Sequence, residues 1–411
     1  MNGLSISLDI FTGIFGIFLV YQLLLALFSI KKPRRLPEGD KIHRFALVVS
    51  ARNEEAVIGN LIDSLNQQQY PREAFDVFVI ADNCTDATGE VARSLGARVF
   101  VRQDRRHIGK GYALNWFFDR FLAEHGEAYD AIGVFDADNL VDDGFLAEMN
   151  RHLCAGEVAV MGYRDSKNPQ DSWVAAACSI SFWLTSRFYN VARSRLGLSV
   201  MASGTGFVFK LETVMNGWHT KTISEDSEFS LQLIARGFRV GYTPYAVFYD
   251  EQPLTLAQSM RQRRRWAVGS YQNLRFSTPL LLRSLSWRTL PIVFDSLIWM
   301  LFMPLAGLSL PVGIIQSTLT FIAWPVWLWD GLAAGQLQST ALSLVMMSLP
   351  ALLTVLVERK FSWKILKGVW TFPLFLITNN LLYLLALVTP NISWHPIEHK
   401  RAVSLSQIER G

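Results

Sequence analysis

The chain has two apolar ends and a patterned middle. Residues 6–30 form an apolar run that is long enough to cross a bilayer. Basic residues at 31–35 follow this run, whereas a signal peptide carries its basic residues before the apolar run. Under the positive-inside rule, we expect a transmembrane anchor at residues 1–35 and a cytosolic segment after it.

The middle of the chain predicts an α/β domain. Short apolar runs typical of buried strands lie at Phe45–Ser50, Asp76–Ala81, Arg98–Val101 and Ala131–Phe135. Segments with helical spacing separate these runs, including one near residues 110–124. Strands that alternate with helices form a Rossmann-like, mostly parallel sheet, which binds ligands at the carboxyl ends of its strands. We assign residues 36–275 to this domain.

Long apolar segments return after residue 290. Spans are predicted near 291–310, 311–330, 338–357 and 367–389. Together they make a transmembrane bundle at 291–390, followed by a tail at 391–411.

Two earlier segments have the composition of interfacial amphipathic helices. They are Trp173–Tyr189 and Leu280–Arg288, the second within an interfacial helix assigned to residues 276–290. A core helix explains Trp173–Tyr189 equally well.

The side of the membrane that holds the tail stays open. With five spans in total the tail is cytosolic, but the basic residues between 358 and 368 are then external, against the positive-inside rule. With a single crossing in residues 291–330, those basic residues are cytosolic and the tail is external.

Composition supports a membrane protein and excludes two other classes. Hydrophobic residues make up 50% of the chain and charged residues only 18%, below the level of about a quarter in soluble proteins. The net charge of +4 is mild, so we expect contact with membrane lipids and no nucleic acid. The three cysteines are far apart and outside any CxxC pair, so neither a disulfide framework nor a zinc site is expected.

The pair Asp136 and Asp138 directly follows the fourth predicted strand. Two carboxylates at i and i+2 can share a hard divalent cation, which keeps part of its shell for water and phosphate oxygens. A solvated turn is the plainer alternative for a single pair of this kind.

Polar residues also follow the first two predicted strands. Glu54 follows the first strand, and Asp82 and Asn83 follow the second, where they suit the base and ribose of a nucleoside. Capping of the following helices is the structural alternative. Lys110 lies between two glycines at the start of the next helix, an arrangement that favours an anion.

Two further motifs lie in the second half of the domain. Glu225 and Asp226 form a carboxylate pair in which Asp226 is a candidate general base, although an N-capped helix with an acidic first turn explains the pair equally well. The segment Gln262–Trp266 encloses three arginines, which suit a diphosphate, and ends on a tryptophan that can stack on a sugar ring. A polybasic lipid patch is the alternative for the arginines, but it does not need the glutamine or the tryptophan.

In their order, these motifs resemble those of the family-2 glycosyltransferases. The motifs are a strand-end acid (Asp82), DxD (Asp136, Asp138), ED (Glu225, Asp226) and QxxRW (Gln262, Arg265, Trp266). The chain is most similar to the processive, membrane-embedded group that contains cellulose, chitin, hyaluronan and poly-N-acetylglucosamine synthases. The resemblance covers residues 44–270 and implies a GT-A-type domain inserted between transmembrane helices. Ser224 departs from the usual threonine of the ED motif, and Asn83 replaces the more frequent second aspartate after Asp82.

The resemblance implies a role for each matching residue. Asp82 contacts the uracil or ribose of a UDP-sugar with Glu54 and Lys110 nearby, and Gln262 and Arg265 hold the diphosphate. Asp138, helped by Asp136, binds Mg²⁺ or Mn²⁺. Asp226, with Glu225 beside it, deprotonates the acceptor. The acceptor site is implied to include Trp266, Gly204 and Thr205.

The implied function is inverting sugar transfer from a UDP-sugar to a growing polysaccharide, at the cytosolic face of a bacterial inner membrane. Transfer of a single sugar to a lipid-linked acceptor is the alternative, because the motifs barely distinguish the two. A transporter with a nucleotide-sensing domain predicts ionisable residues inside the spans, where Asp295 is the main one. The sugar, the linkage, the oligomeric state and any protein partners stay undetermined by the sequence.

Overall fold

The computed structural model describes residues 2–126, 128–323, 329–390 and 403–408. Within them, eight strands form one sheet in the order β3-β2-β1-β4-β7-β6-β8-β5. The strands are β1 (Phe45–Ala51), β2 (Phe75–Asp82), β3 (Arg98–Arg102), β4 (Ala131–Asp136), β5 (Leu140–Val141), β6 (Ala159–Ser166), β7 (Phe207–Lys210) and β8 (Val240–Asp250). The four predicted strands are confirmed, each to within one residue at either end.

Helices cover the sheet and extend the chain at both ends. We define the sheet domain as β1 to β8 with the helices between them. Its helices are α2 (Ile58–Asn66), α3 (Thr88–Ser94), α4 (Lys110–His125), α5 (Phe145–Cys154), α6 (Trp173–Leu184), α7 (Val191–Leu196) and α8 (Glu225–Ala235). The others are α1 (Asn2–Leu27), α9 (Leu256–Arg283), α10 (Leu290–Ala323), α11 (Trp329–Val357) and α12 (Trp363–Val388).

The direction of the strands brings distant residues to one edge of the sheet. β1, β2, β3 and β4 pair in parallel, which suits apolar strands that are covered on both faces. β7 runs antiparallel to β4, so the residues that precede β7 reach the carboxyl end of β4. β6 and β8 pair in parallel, and their carboxyl ends lie at this same edge. The sheet is therefore mixed, and its second half was not predicted.

Four helices are long and apolar enough to cross a membrane, counted over the described residues. These segments are Leu4–Leu27, Leu290–Leu319, Gly335–Val357 and Trp363–Val388. The two spans predicted at 291–310 and 311–330 are wrong in their division, because α10 continues through Pro304 and Pro311. Proline is tolerated in apolar helices where neighbouring helices satisfy the freed backbone groups. Residues 324–328 and most of the predicted tail lie outside the described part.

The two predicted interfacial segments also differ from expectation. Leu280–Arg288 is not a helix of its own, because α9 continues to Arg283 and a turn at 284–289 leads into α10. Trp173–Tyr189 begins as α6 and continues as a π-helical turn at Thr185–Asn190. The side chains of 174–180 are buried, so this segment is the core helix that was the alternative prediction.

A buried ion pair joins α10, one of the apolar helices, to α7 of the sheet domain. Arg193 of α7 donates to both carboxylate oxygens of Asp295 in α10, at 2.8 and 2.9 Å, and both residues are about fully buried. Tyr21 of α1 donates its hydroxyl to the same carboxylate at 2.9 Å. The guanidinium also lies 3.4 Å from the ring centre of Tyr189. Asp295 is therefore a structural partner of an arginine.

We expect Asp295→Asn to lower the free energy of unfolding by about 3–5 kcal/mol, because Arg193 keeps a buried charge without its counter-charge. Thermal unfolding of the detergent-purified chain measures this effect. The double variant Arg193→Met/Asp295→Leu removes both charges and should lose less stability than Asp295→Asn. An unchanged unfolding midpoint for Asp295→Asn would show that the ion pair does not stabilise the fold in this way.

Candidate active site

A lysine and two backbone segments meet at the carboxyl end of β4. Lys110, at the start of α4, donates to the carboxylate of Asp136 and, at 2.7 Å, to the carbonyl oxygen of Gly204. Burial alone lowers the pKa of Lys110, but the carboxylates of Asp136 and Glu225 outweigh it and raise that pKa above its ordinary value. The lysine therefore stays charged in a half-buried position beside the first aspartate of the DxD motif.

The segment before β7 forms the floor of the site. Gly204 has a φ of +82°, a conformation that favours glycine. A Cβ atom on this glycine would lie 3.9 Å from Oδ2 of Asp136 and 3.8 Å from Oδ2 of Asp226. Thr205 accepts a hydrogen bond from the backbone N–H of Asp136 at 3.0 Å. The structure thus brings residues that are far apart in sequence around one small space above Gly204.

The second aspartate of the DxD motif lies in a dense group of acids. Asp138 is buried, and the next residue, Asn139, donates to Asp250 at 3.0 Å. Burial raises the pKa of Asp250. Arg164, which donates to this carboxylate at 3.0 Å, opposes the rise in pKa, and the charges of Asp138 and Asp136 add to it. Asp250 is not among the predicted site residues, because β8 was not predicted and a single acid at its end carried no motif.

This donor set fits a hard divalent cation. Asp136 and Asp138 offer carboxylate oxygens, the ligand type that Mg²⁺ and Mn²⁺ prefer. No group of three or more metal-binding side chains occurs among the described residues, so such a cation needs further oxygens from phosphate or water. The charges of Asp136 and Asp138, which add to the effect of burial on the pKa of Asp250, also favour a cation here.

The ED pair opens α8 and faces the same space. Burial and the charge of Asp226 raise the pKa of Glu225 to about 8, and burial raises the pKa of Asp226. Ser224 occupies the N-cap position without making the capping hydrogen bond, so the simple capping alternative is not what this side chain does. Gly269 of α9 lies directly against the Ser224 side chain, which fixes the start of α8 against α9.

The three arginines of the QxxRW segment, all on α9, point to different places. Arg263 is buried and donates to the carbonyl oxygen of Phe375 in α12 at 2.9 Å. Arg264 donates to Thr389 beyond the end of α12 at 3.1 Å. Burial lowers the pKa of Arg265, while the charges of Glu225 and Asp136 oppose that shift. Arg265 therefore faces these carboxylates, which together with Asp138, Asp226 and Asp250 we call the acidic cluster.

Arg265 and Trp266 lie three and four residues after Gln262 on α9, so the side chain of Gln262 neighbours both of them on the helix surface. Trp266 is 38% exposed and lies edge-on to Phe182, with ring centres 6.0 Å apart. An accessible aromatic side chain therefore lies next to the acidic cluster.

The predicted nucleotide residues lie at the ends of β1 and β2. Asp82 is buried and accepts a hydrogen bond from Arg102 at 2.6 Å; burial raises the pKa of Asp82, and Arg102 opposes this. Glu54 is half-buried, and its backbone N–H donates to the hydroxyl of Thr88 at 2.8 Å. Asp86 accepts from the backbone N–H of Thr88 in the first turn of α3, which is the helix-capping alternative at this strand end. Arg102 was not predicted as part of this edge.

Comparison with known proteins decides the family. The model for "Glycosyltransferase like family 2" matches residues 43–269, more than half of the chain. The chain belongs to glycosyltransferase-like family 2. The residues gathered above Gly204 are those that the motif order pointed to, and sugar transfer is the activity of this family.

Curated relatives of this family-2 glycosyltransferase are about a quarter identical to it over the aligned regions. It is 25% identical over 247 residues to probable glycosyltransferase YdaM of Bacillus subtilis, covering 57% of each chain. It is also 25% identical over 274 residues to β-monoglucosyldiacylglycerol synthase of Synechocystis sp., covering 64% of this chain and 55% of that one. The chain thus spans a little more than half the length of both relatives.

A solved structure shows the fold. The mannosyltransferase PcManGT from Pyrobaculum calidifontis, solved in complex with GDP-Man and Mn²⁺, superposes with a TM-score of 0.60 and 19% identity. The likeness covers 90% of this glycosyltransferase and 98% of that chain. The predicted fold, a GT-A-like α/β domain flanked by apolar helices, is confirmed.

The raised pKa of Glu225 gives a prediction for the pH dependence of this glycosyltransferase. A carboxyl with a pKa of about 8 is neutral below that pH and negative above it. We expect kcat/KM for the donor to fall above pH 8, because a new negative charge then faces a diphosphate, and Glu225→Gln to abolish this fall. A pH–rate profile measures it, with Glu212→Gln, an exposed glutamate, as the control. A basic limb that persists in Glu225→Gln would contradict the assignment.

Proposed function

We propose that this family-2 glycosyltransferase transfers one sugar, with inversion and metal dependence, from a UDP-sugar to a hydroxyl of a lipid-borne acceptor. The observation that carries the proposal is the position of α9. Its Arg265 faces the acidic cluster, while its Arg263 is bonded to α12 in the apolar helical layer. The reacting groups therefore lie directly beside the layer in which a lipid acceptor resides.

In this proposal Asp226 is the general base. It takes the proton of the acceptor hydroxyl, whose oxygen attacks the anomeric carbon as the bond from that carbon to the diphosphate breaks. The nucleoside diphosphate leaves from the opposite face, so an α-linked donor gives a β-linked product. The neutral form of Glu225 keeps the charge of the pair on Asp226, which supports this division of roles.

Positively charged side chains would stabilise the negative charge that develops on the leaving nucleoside diphosphate. Lys110 and Arg265 both face the acidic cluster, and preorganised positive groups at a developing negative charge are a large source of catalysis. Asp136 and Asp138 would hold the divalent cation, which when bound supplies Lewis-acid neutralisation of the diphosphate. Asp82 and Glu54 would contact the nucleoside, and Gln262 the diphosphate.

A groove in the helical layer supports a lipid acceptor over a polymer. It lies between α11 and α12, has a volume of about 340 Å³, and is lined by apolar side chains with Ser348 as the polar exception. A conduit for a polysaccharide needs polar lining, whereas an acyl chain suits this groove. One curated relative is named for synthesis of a monoglucosyldiacylglycerol.

At the open face of the acidic cluster, Trp266 would contact the acceptor, together with Gly204 and Thr205 on the floor of the site. We place the domain at residues 36–275 on the cytosolic side of a bacterial plasma membrane.

The product distinguishes these functions. The purified chain in lipid vesicles is given UDP-glucose, UDP-N-acetylglucosamine, UDP-glucuronate or GDP-mannose, with Mn²⁺ or with EDTA. Diacylglycerol and a polyprenyl phosphate serve as acceptors, and mass spectrometry measures the product. We expect a single hexose increment on a lipid, lost with EDTA. A sugar polymer would contradict the lipid proposal in favour of processive synthesis, and equal turnover in EDTA would contradict the metal.

A further inference from the structure

The loop before α12 is held on the sheet domain. Glu358, just after α11, lies 3.2 Å from the hydroxyl of Tyr163 in β6 and 3.5 Å from Arg187. Two residues later, Lys360 donates to Asp165 of β6 at 3.0 Å. The start of α12 is therefore on the same side of the molecule as β6.

The body of α12 stays against the sheet domain and α9. A Cβ on Gly368 would stand 2.5 Å from the Cβ of Ala176 in α6, so the two helices are in close contact. Further along, Arg263 of α9 donates to the carbonyl oxygen of Phe375 at 2.9 Å and to the hydroxyl of Thr378 at 3.1 Å.

The end of α12 lies against α9, and the chain beyond it returns to the sheet domain. The hydroxyls of Tyr383 and Ser270 of α9 are 3.1 Å apart, and Arg264 reaches Thr389 at 3.1 Å. Beyond α12, the described segment 403–408 returns to the sheet, where Leu405 is buried against two side chains. These are Leu140 of β5 and Tyr249 of β8.

The three other apolar helices behave differently from α12. α1 and α10 run antiparallel away from the domain, with contacts from Tyr21 and Asp295 near it to Thr12 and Gln316 far from it. α11 returns the chain to Glu358. A helix of 26 residues is about 39 Å long, so a crossing α12 would carry its end far from the side where it began.

The outer face of α12 is an apolar stripe, which we call the outer stripe. Its members are exposed at spacings of three, four and seven residues: Trp363, Trp370, Leu374, Ile377, Leu381, Leu385 and Val388. Lys364 and Lys367 are exposed beside it. Apolar and aromatic residues on one face with lysines at the rim are typical of a helix that lies in a lipid interface.

We infer that α12 lies along the membrane surface without crossing it, with the outer stripe in the leaflet next to the sheet domain. The chain then crosses three times, through α1, α10 and α11, and its C-terminal segment is on the side of the sheet domain. This inference does not depend on the donor, the acceptor or the chemistry.

The charges along the sequence agree with this topology. The basic residues at 31–35 and at 359–367 both fall on the side of the sheet domain. The stretch of sequence from residue 316, in α10, to residue 328, just before α11, contains no lysine or arginine. The conflict of the five-span topology with the positive-inside rule disappears, because α10 is one crossing and α12 is none.

Cysteine labelling tests the side of the tail. In a chain lacking Cys84, Cys154 and Cys178, Ser406→Cys is treated with a membrane-impermeant maleimide in sealed inverted membrane vesicles. Ser94→Cys, exposed on α3, is the domain-side control, and Ser5→Cys is the far-side control. We expect Ser406→Cys to label to the same extent as Ser94→Cys, with Ser5→Cys labelling only after detergent. Labelling of Ser406→Cys only after detergent would overturn the inference.

The same question is answered in the unsubstituted chain, so the test does not rest on tolerance of the cysteine changes. An epitope tag fused after Gly411 should be removed by protease added outside the sealed inverted vesicles. A protected tag would contradict the proposed topology.

The depth of the outer stripe gives a second readout. A fluorophore on Leu374→Cys or Leu385→Cys is quenched by lipids that carry nitroxides at known depths. We expect similar shallow depths at both positions, whereas a crossing helix separates them by about 16 Å. Depths that differ by that amount, or no quenching by lipid at all, would overturn the placement of the outer stripe in the near leaflet.

Discussion

Asp226→Asn is expected to lower kcat by about 10²–10⁴-fold, because the variant keeps the shape of the side chain but loses the proton acceptor. The KM for the donor should change little, since the diphosphate contacts come from other residues. Release of nucleoside diphosphate at saturating donor and acceptor measures the effect.

The control for this prediction is Asp119→Asn. Asp119 is an exposed carboxylate on α4, outside the cluster. Its variant should keep full turnover, and thermal unfolding should confirm that Asp226→Asn is folded. A folded Asp226→Asn with near-normal kcat would remove Asp226 from the role of base.

The second large effect is expected at Arg265 of α9. Substitution of Arg265 should lower catalytic activity, whereas substitution of Arg263 on the same helix should lower stability. Arg265→Ala should lower kcat/KM by about 10²–10³-fold, as for loss of a group that stabilises developing negative charge. Its unfolding midpoint should change little, because burial already disfavours the charge of Arg265. Nucleoside diphosphate release and thermal unfolding, measured on the same preparations, report the two quantities.

Arg263→Ala is the matched variant two residues earlier. It removes hydrogen bonds to the carbonyl oxygen of Phe375 and the hydroxyl of Thr378, so stability should fall by about 2–3 kcal/mol. Its loss of turnover should be much smaller than that of Arg265→Ala once the sample is below its unfolding temperature. The reverse pattern, with a stable but inactive Arg263→Ala, would contradict the assignment.

Local patterns in the sequence were sufficient for the first half of the fold. β1 to β4 are apolar runs separated by helical spacing, and tertiary packing follows that pattern closely. The strand-end acids were found for the same reason, since the carboxyl ends of parallel strands share an edge. The order of the motifs then pointed to the family.

The second half of the sheet has no such local signal. β7 is a four-residue strand, and β5 has two residues, so neither gives a period that a sequence window can detect. Their antiparallel pairing brings Gly204 and Asp250 to the site, and only the three-dimensional arrangement shows this. The roles of Arg263 and Arg265 were likewise hidden, because residues two positions apart on a helix point in different directions.

Hydropathy does not show which face of the last helix is covered by protein. A window average records that α12 is apolar but cannot record that one face packs on α6 and α9. Pro311 likewise divides the predicted spans, although α10 passes through it without ending.

The account is tested most directly by the stoichiometry of the reaction. The purified chain in vesicles is supplied with Mn²⁺, a limiting lipid acceptor and excess of the donor that gives turnover, and nucleoside diphosphate release is followed to completion. Single-sugar transfer predicts one nucleoside diphosphate per acceptor consumed, with a β-linked sugar on the lipid. Release that continues well beyond one equivalent, accompanied by a lengthening sugar chain, would contradict it.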